Sequence, residues 1–524
     1  MRFKNPFTKK ITETPQEKDF NFDLIEHYFK RKEHPDAFQV VGDQLINDID
    51  FYEFFCFFDR THSTIGQQYL FNQLLTINIQ PHFEEQERLI TYFIDNEAVK
   101  KKAQTLLSKL NNRDVYFVSH LFLEEYISKP KWFWTLRICS MLGIAALLLT
   151  FFINKFFMLL IIMYVINMMF YLWNKNNILI YSNSIPQLLP LCKIAKEFVL
   201  MKLIPTSGQH ILSSIHSIDA LKNKIKFFKN KTGIVSDIEA IVSFFWEMVN
   251  ILFLIEPQIV FNVLSKLDKT RKDIQILFEY VGKMDSALSI ATMRATVPYS
   301  CIPTGLNTNK TSLDFTNIYH PLISDCVPNS LRIQAKSILL TGSNMSGKTT
   351  FIRTVALNVL LAQTVNTCFA QDFKLSPTRL FSGIRISDDL LNDKSYYFEE
   401  VLTIKNMINE SLSGFNNIFL LDEIFKGTNT AERIAAGKAV LSYLAASDSN
   451  IVFVSTHDIE LADLLNDTYD LYHFTEVIQG VQIHFDYKLK RGNLATKNAI
   501  RILEINDYPP QVVEEARRIS RRFV

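Results

Sequence analysis

The most informative stretch of the sequence is a glycine-rich loop that runs from Thr341 to Thr350. Gly342 and Gly347 allow the backbone to curl so that successive N–H groups point at a phosphate, and the dipole of the following helix favours the same charge. Lys348 would then reach the β- and γ-phosphates, and Thr349 would place its hydroxyl on Mg²⁺. A chance glycine turn is the alternative, which the Lys-Thr ending disfavours. The predicted phosphate contacts are Gly342, Ser343, Asn344, Met345, Ser346, Gly347, Lys348, Thr349 and Thr350.

Two strand ends farther along the chain carry side chains suited to phosphate chemistry. The apolar run Asn417 to Leu421 ends in Asp422, predicted to bind Mg²⁺, and Glu423, predicted to orient and deprotonate an attacking water. A third run, Ile451 to Thr456, ends in His457, which is predicted to sense the γ-phosphate. Acids or a histidine at a strand end are usually ordinary loop residues. Their position after a phosphate loop favours the catalytic interpretation.

The elements around these residues follow the order that a nucleotide site needs. The apolar run Ser337 to Leu340 precedes the glycine-rich loop, and the helix-compatible stretch Phe351 to Leu360 follows it. After residue 300 strands and helices alternate, which is the pattern of an α/β domain. In an open parallel sheet ligands bind at the carboxyl ends of the strands, so the three strand ends are expected to share one edge.

Composition limits the remaining possibilities. A chain of 524 residues is too long for one ordinary core and suggests about three domains. The formal net charge is +2, from 56 basic and 54 acidic residues, so any contact with nucleic acid must come from local patches. The six cysteines form no Cys-x-x-Cys pair and have no histidine nearby at ligand spacing. This argues against a zinc site and against a disulfide framework.

Between Lys131 and Lys175 the composition changes to two apolar arms. Ile138 to Ile153 and Phe156 to Trp173 carry no charge, and Asn154-Lys155 separates them. Each arm is slightly short of the ~20 residues that cross a bilayer core, although neighbouring aromatic residues extend the first. The pattern predicts a transmembrane helical hairpin that contacts the membrane through residues 132–173.

Positive residues flank the outer ends of the hairpin, at Lys129, Lys131, Arg137 and Lys175, whereas the tip carries only Lys155. By the positive-inside rule, both termini and the phosphate-binding region lie in the cytoplasm, and the protein is expected in the cytoplasmic (inner) membrane. A buried helix pair in a large soluble domain is the alternative. It is disfavoured because a soluble helix rarely stays apolar on every face.

The rest of the chain before residue 300 has helical periodicity. Phe51, Phe54, Phe55 and Phe58 recur at helical spacing, which predicts a helical core. Long helices are expected over Asp237 to Leu264 and Lys266 to Met293, joined near Ser265, either as a lever or as plain bundle core. The predicted division is an N-terminal extension (1–45), a first part of the helical core (46–130), the hairpin (131–178), a second part of the core (179–305) and an α/β domain (306–524).

Taken together, the motifs share the pattern of a known family. Gly342 to Thr349, Asp422 to Thr430 and Ser455 to His457 resemble the ATPase domain of MutS-type DNA mismatch repair proteins. Asn344-Met345 inside the loop and Gly427 to Thr430 after the acids are much more specific than a generic phosphate loop. The resemblance is densest from residue 320 onward.

Weaker similarities extend the resemblance to other parts of the chain. Asp388-Asp389 and Ser395 to Glu400 look like the family's signature loop, in which Ser395 would contact the γ-phosphate bound to the other subunit. Asp59 to Gly66 is similar to the start of the family's helical core, and Met284-Asp285 to its return into the ATPase domain. The match covers roughly residues 50–130 and 180–520.

The resemblance implies an α plus α/β protein. A helical core or lever domain, with the transmembrane hairpin inserted, would precede a P-loop domain of the ABC type. It also implies an ATPase that uses ATP and Mg²⁺, with Thr349 and Asp422 at the metal and Glu423 and His457 as catalytic residues. The signature loop implies a homodimer, and the family implies binding to DNA in mismatch repair or recombination.

The sequence also departs from the family's pattern. Barely 45 residues precede the core, they contain no Phe-x-Glu motif of the mismatch-reading domain, and the hairpin interrupts the core. Phe425-Lys426 stands where Gly-Arg is more usual, and Ser346 stands where the family has glycine. An ATP-driven interaction module at the membrane that has lost DNA binding is therefore the alternative function. A transporter of the ABC type is disfavoured because two arms provide too few helices for a path.

Overall fold

The computed structural model describes residues 20–79, 83–124, 133–203, 208–223, 225, 237–305, 311–333, 336–343, 345–385, 396–479, 482–493, 499–505 and 508–520. The part before residue 300 is mostly helical, and strands and helices alternate after it. The predicted combination of a helical region and an α/β region is therefore confirmed. The five domain limits stay predictions.

The helical region begins with short elements and continues into long helices. Its elements up to residue 123 are α1 (Phe22–Ile25), α2 (His27–Arg31), β1 (Ala37–Val40), α3 (Asp43–Asp48), α4 (Phe51–Phe58), α5 (Thr64–Leu74), β2 (Thr76–Asn78), α6 (Phe83–Asp95), α7 (Glu97–Leu107), 3₁₀ turns at Ser108–Leu110 and Arg113–Val118, and α8 (His120–Leu123). The later elements are α9 (Phe133–Thr150), α10 (Phe156–Ser184), a 3₁₀ turn at Ile185–Gln187, α11 (Leu188–Leu200), α12 (Gly208–Asp219), α13 (Asp237–Phe253), α14 (Ile255–Leu267), a 3₁₀ turn at Asp268–Thr270 and α15 (Arg271–Thr296).

The α/β region follows. It comprises β3 (Thr304–Gly305), β4 (Leu313–Ile318), β5 (Asn329–Ile333), β6 (Ser337–Thr341), α16 (Lys348–Thr364), β7 (Asp372–Leu375), β8 (Arg379–Gly383), α17 (Tyr396–Ser411), β9 (Asn417–Asp422), α18 (Thr430–Leu444), β10 (Asn450–Ser455), α19 (Ile459–Leu465), β11 (Tyr469–His473), β12 (Glu476–Gln479), β13 (Gln482–Phe485), β14 (Lys490–Arg491), α20 (Ala499–Ile505) and α21 (Pro510–Ser520).

The helical core is built around α5 and α15, which pack side by side. The four phenylalanines of α4 are fully buried against this core, as their spacing predicts. Asp285 of α15 joins the start of α5, because its carboxylate accepts hydrogen bonds from His62 N (2.8 Å), Ser63 N (2.7 Å) and Ser63 Oγ (2.6 Å). A Cβ on Gly66 would lie 2.1 Å from Asp285 Oδ2, so only glycine allows this close approach. These hydrogen bonds connect the two parts of the helical core, which the apolar arms separate in the sequence.

Two helix boundaries differ from the sequence prediction. The long helical stretch after Asp237 breaks at Leu254, which has a left-handed φ of 48°, and again at the 3₁₀ turn Asp268–Thr270, rather than near Ser265. Pro257 explains the first break, because its ring would clash with the carbonyl of Phe253 in a continuous helix. Proline is tolerated in the first turn of α14, where no intrahelical N–H bond is lost.

The two apolar arms form α9 and α10, which pack against each other. Among the described residues, Phe133–Thr150 is the one single helix long and apolar enough to cross a membrane, with a mean hydropathy of 1.7 and 22% of it buried. Phe156–Leu172 is a shorter apolar helix. A bent pair, Phe244–Phe253 with Pro257–Thr296, passes the same test only when the two are taken together. By length and composition this is weak support for a membrane span.

Helix α13 lies against both arms. Asn167 Nδ2 on α10 donates a 2.6 Å hydrogen bond to Leu252 O, and Tyr171 OH donates to Glu247 Oε1 at 3.1 Å. Gly143 on α9 allows the close approach, because a Cβ there would lie 2.9 Å from Leu252 O. The arms are thus part of a three-helix group.

The main sheet of the α/β region has the order β14-β11-β6-β10-β9-β8. β11, β6, β10, β9 and β8 run parallel, and β14 pairs antiparallel to β11. Ser455 at the end of β10 pairs with Leu340 of β6 on one side and with Asp422 of β9 on the other. The loops that follow these three strands therefore start side by side. A second sheet, β3-β7-β4-β5, and the pairs β1-β2 and β12-β13 lie outside the main sheet.

Two aspartates of the helical region attach it to the α/β region. Asp48 accepts hydrogen bonds from the backbone of Ile384 (3.0 Å) and Arg385 (2.7 Å). Asp50 pairs with Arg353 Nη1 of α16 at 2.9 Å and also with the side chain of Arg385. The helix that starts at the glycine-rich loop is therefore connected to the helical core through Asp50.

Candidate nucleotide site

The glycine-rich loop joins β6 to α16 and requires glycine at both predicted positions. Gly342 and Gly347 have φ values of 143° and 103°, a region that side chains with a Cβ rarely adopt. A Cβ on Gly342 would also lie 2.5 Å from Phe474 O. The backbone conformation of this loop is therefore set by the two glycines, as the sequence predicts.

Lys348 is the first residue of α16, and its side chain folds back over the loop. Its Nζ donates hydrogen bonds to Gly342 O (2.7 Å) and Ser343 O (2.9 Å), and the residue is only 2% exposed. Burial lowers the pKa of Lys348 to about 8. A buried ammonium held only by neutral carbonyls is suited to an anion, because a phosphate would compensate its charge.

The remaining loop residues have different surroundings. Ser346 is buried and donates from Oγ to Ser343 O at 2.7 Å, while Ser343 Oγ donates to Glu476 Oε2 at 3.2 Å. Met345 is 74% exposed, and Thr350 is exposed at the start of α16. Asn344 lies outside the described residues.

The predicted metal residues lie within hydrogen-bond distance of each other. Thr349 Oγ1 donates to Asp422 Oδ2 at 2.8 Å, and Ser455 Oγ donates to the other oxygen, Oδ1. Hydroxyl and carboxylate oxygens are the ligands that Mg²⁺ prefers, and it is usually held by few protein groups together with substrate phosphates. The chemistry of this donor set suits Mg²⁺, as predicted for Thr349 and Asp422.

The predicted catalytic residues lie within hydrogen-bond distance of each other, beside the metal residues. His457 Nε2 lies 2.7 Å from Glu423 Oε1, and Lys426 Nζ lies 3.0 Å from Glu423 Oε2. The hydrogen bond from His457 and the contact with Lys426 lower the pKa of Glu423 to about 2. Glu423 is therefore ionised at neutral pH, which a base that accepts a proton from water requires.

Contacts with neighbouring elements hold the acidic loop in a strained backbone conformation. Glu423 and Phe425 both have positive φ values, 51° and 60°, which are uncommon for residues with side chains. Phe425 N donates to the carboxylate of Glu400 on α17, and Glu423 N donates to Ser455 O at 2.9 Å. A Cβ on Gly427 would lie 2.8 Å from Tyr397 Cβ, so this glycine packs directly against the start of α17.

Comparison with known proteins agrees with this geometry. A family model described as MutS domain V matches residues 338–524. The DNA mismatch repair protein MutS of Carboxydothermus hydrogenoformans is 27% identical over 281 residues, which are 51% of this chain and 33% of that relative.

Residues 338–524 are therefore similar to MutS domain V. The chain spans about a third of the length of the curated relative it matches. The family match begins at Ile338 in β6, so it contains the loop, both acids and His457.

Ser395 is the predicted contact to the other subunit's γ-phosphate. It lies within the family match but outside the described residues, as do Asp388 and Asp389. Helix α17 begins at the next residue, Tyr396. The role of Ser395 in trans stays a prediction.

Some contacts of the site were not predicted from the sequence. The folded structure brings together three pairs: Ser455 with Asp422, Glu476 with Ser343, and the Glu400 carboxylate with Phe425 N. Ser455 could have been found, because it ends a strand adjacent to the acidic strand. Glu476 follows a different strand end, and no local pattern indicates it.

Proposed function

We propose that the α/β region is a Mg²⁺-dependent ATPase with a P-loop fold of the ABC type. The observation that carries the proposal is the meeting of three strand ends at one sheet edge. Lys348 follows β6, Asp422 ends β9 beside Glu423, and His457 follows β10. The proposal is also supported by the family match over residues 338–524.

Each residue has a role in this proposal. Lys348 and the loop N–H groups bind the phosphates, and Thr349 and Asp422 hold Mg²⁺, which neutralises charge on the phosphate oxygens when bound. Glu423 orients water and accepts its proton, and His457 holds Glu423 in position and contacts the γ-phosphate. The buried ammonium of Lys348 leaves its two carbonyl partners when it binds phosphate.

We further propose that two chains form a homodimer in which Ser395 of one chain completes the site of the other. A cis–trans comparison tests this arrangement. Two heterodimers are co-expressed, with a different tag on each chain. One pairs a Lys348→Ala chain with a Ser395→Ala chain. The other pairs a chain that carries both substitutions with the wild-type chain.

The two heterodimers carry the same substitutions in different arrangements. If the site is shared, the first has one intact site and about half of the wild-type activity, whereas the second has none. If each site lies within one chain, the two results are reversed. The reversed result would reject the shared site.

The apolar arms are proposed to anchor the protein in the cytoplasmic membrane, with both termini and the ATPase in the cytoplasm. Large apolar side chains on all outer faces of α9 and α10 support this proposal. They include Met141, Leu148, Phe151, Phe152, Phe157, Met158 and Met169. Helix α13 adds Val242, Phe244, Phe245 and Trp246 to the same exposed apolar surface. Soluble proteins rarely expose a continuous surface of this kind.

ATP turnover is proposed to be coupled to DNA binding, in mismatch repair or recombination. The support is the relative, which is named a DNA mismatch repair protein. Asp50 provides a route for the coupling, because it joins α16 at Arg353 to the helical core. The alternative, an ATP-driven interaction module at the membrane without DNA binding, is favoured by the near-zero net charge of +2.

A gel-shift panel separates the two functions. Full-length protein is titrated onto homoduplex, mismatched duplex and four-way-junction DNA at several salt concentrations, with and without ATP. The DNA hypothesis predicts binding that weakens as salt rises and that changes when ATP is added. No binding to any of the three at low salt would leave the interaction module as the function.

A further inference from the structure

A cluster of two histidines and a glutamate lies in the helical region, apart from the nucleotide site. His27 is the first residue of α2, His120 is the first residue of α8, and Glu124 directly follows α8. His27 Nε2 lies 3.0 Å and His120 Nδ1 lies 3.1 Å from the same atom, Glu124 Oε1. The three ligand atoms lie within 4.8 Å of one another. The two rings stack with centroids 3.6 Å apart and planes 12° apart.

Ser119 contacts the other ring nitrogen of His27. Ser119 Oγ lies 3.1 Å from His27 Nδ1 and also 3.1 Å from Tyr116 O. When Ser119 donates to Tyr116 O, it accepts from His27 Nδ1, and the lone pair of Nε2 is then available to an ion beside Glu124.

His120 contacts the same carboxylate oxygen. It is 9% exposed, and its buried Nδ1 lies 3.1 Å from Glu124 Oε1 without a hydrogen bond of good geometry. The three ligand atoms are therefore close enough to bind one ion, for which the two rings would turn out of their parallel stack so that both nitrogen lone pairs point at it.

We propose that His27 Nε2, His120 Nδ1 and a carboxylate oxygen of Glu124 bind one divalent transition-metal ion of the Zn²⁺ type. Imidazole nitrogens and a carboxylate oxygen are common zinc ligands, and water would complete a tetrahedral set. The hydrogen bond from His27 Nδ1 to Ser119 is the outer contact that commonly orients a metal-binding histidine. This site is independent of the proposed ATPase.

The position of the site indicates a structural role. The metal would fasten α2 to α8, and Glu124 O also accepts a 2.6 Å hydrogen bond from Arg271 Nη1 at the start of α15. Three segments that are distant in the chain therefore meet at Glu124. The first apolar arm begins at Phe133, nine residues later in the chain. Bound metal would stiffen the part of the helical core from which the arms extend.

Metal binding by the full chain tests the proposal directly. Protein without a histidine tag is stripped with a chelator and titrated with Zn²⁺ against a chromophoric chelator, and bound zinc is measured by mass spectrometry. Co²⁺ is substituted in parallel because its visible absorption reports tetrahedral nitrogen and oxygen ligands. The variants are His27→Ala, His120→Ala, Glu124→Gln and Ser119→Ala, and the matched control is His216→Ala at an exposed helix position.

The expected result is one zinc per chain with tetrahedral Co²⁺ bands. Each ligand variant should lose at least about 10-fold in affinity, and Ser119→Ala should lose about 10- to 100-fold. His216→Ala should bind as the wild type does. Glu124→Gln preserves shape, so its circular dichroism should match the wild type and its loss of zinc cannot be ascribed to unfolding. Less than stoichiometric zinc in the wild type, or variants that match the control, would overturn the proposal.

Discussion

The sheet edge of the α/β region and the apolar helices α9 and α10 both depart from the usual distribution of side chains between interior and surface, in opposite directions. At the sheet edge the charged side chains of Lys348 and Glu423 are buried or partly buried, and hydrogen bonds to the loop carbonyls and to His457 hold them. On the apolar helices large hydrophobic side chains face outward, and Phe152 at the tip is 84% exposed. Neither arrangement is favourable in water alone.

This difference is the basis of the proposed ligands of each region. Buried charge around a curled backbone would be stabilised by an anion and a cation, which ATP and Mg²⁺ would supply. Exposed apolar side chains on three packed helices would be stabilised by an apolar solvent, which a bilayer would supply. Helix α15 shows that length alone is not the cause, because most of its residues from Ile274 to Met293 are buried in the core.

The largest effect is expected at Lys348. Lys348→Ala removes the only ammonium that lies over the loop carbonyls of Gly342 and Ser343 among the described residues. We expect ATP affinity to fall by at least about 100-fold, since charge-assisted bonds to phosphate are lost. Fluorescent-nucleotide titration measures this, with Lys438→Ala on α18 as control. ATP affinity within a few-fold of the wild type would show that Lys348 does not bind the nucleotide at this sheet edge.

A second prediction concerns the outward face of α9. Met141 lies near the middle of the helix and is 67% exposed, so Met141→Arg would place a charge at the bilayer centre. We expect membrane insertion to be disfavoured by about 3 kcal/mol. Phe152→Arg at the tip is the matched control and should have a much smaller effect.

Fractionation without detergent measures the outcome. The wild type and Phe152→Arg should sediment with membranes and resist high-salt extraction, while part of Met141→Arg should reach the high-speed supernatant. Wild-type protein in that supernatant would refute the anchor.

The contact between α9 and α13 gives a smaller prediction. Gly143→Leu would force the helices apart, because even a Cβ would lie 2.9 Å from Leu252 O. We expect a loss of about 2 kcal/mol in the stability of the helix group, the usual range for overpacking. Ile144→Leu at the neighbouring exposed position is the control. Thermal unfolding in detergent compares them, and equal midpoints would show that α13 does not pack there.

The smallest effect is expected where the two regions are connected. Asp50→Asn weakens the ion pairs with Arg353 and Arg385 but retains a similar shape. Because Asp50 is partly exposed to solvent, the loss of unfolding free energy should be about 1 kcal/mol. Glu53→Gln on α4 is the control. Chemical unfolding measures both, and a loss no larger than the control's would argue against a connection through Asp50.

Local patterns account for the parts that were predictable from the sequence. Gly342, Lys348, Asp422, Glu423 and His457 follow apolar strands directly, so strand ends and loop chemistry place them at one edge. The buried face of α4 is likewise predicted by the helical spacing of its phenylalanines. Both depend on residues close in the chain.

The features that sequence analysis missed depend on contacts between distant segments. The break at Leu254 does have a local signal, because Pro257 follows it closely in the sequence. In contrast, the approach of Leu252 to Gly143 and the meeting of His27 with His120 have no local pattern. The cysteine spacing argues against zinc in the sequence, and the proposed site uses distant histidines that leave no such spacing.

The central claim is that the sheet edge hydrolyses ATP with Glu423 as the base. Glu423→Gln keeps the shape of the side chain and one of its two acceptor oxygens but cannot accept the proton. Single-turnover assays with labelled ATP should show ATP bound with wild-type affinity and hydrolysis slowed by about 10²- to 10⁴-fold. Hydrolysis at the wild-type rate in this variant would contradict the account.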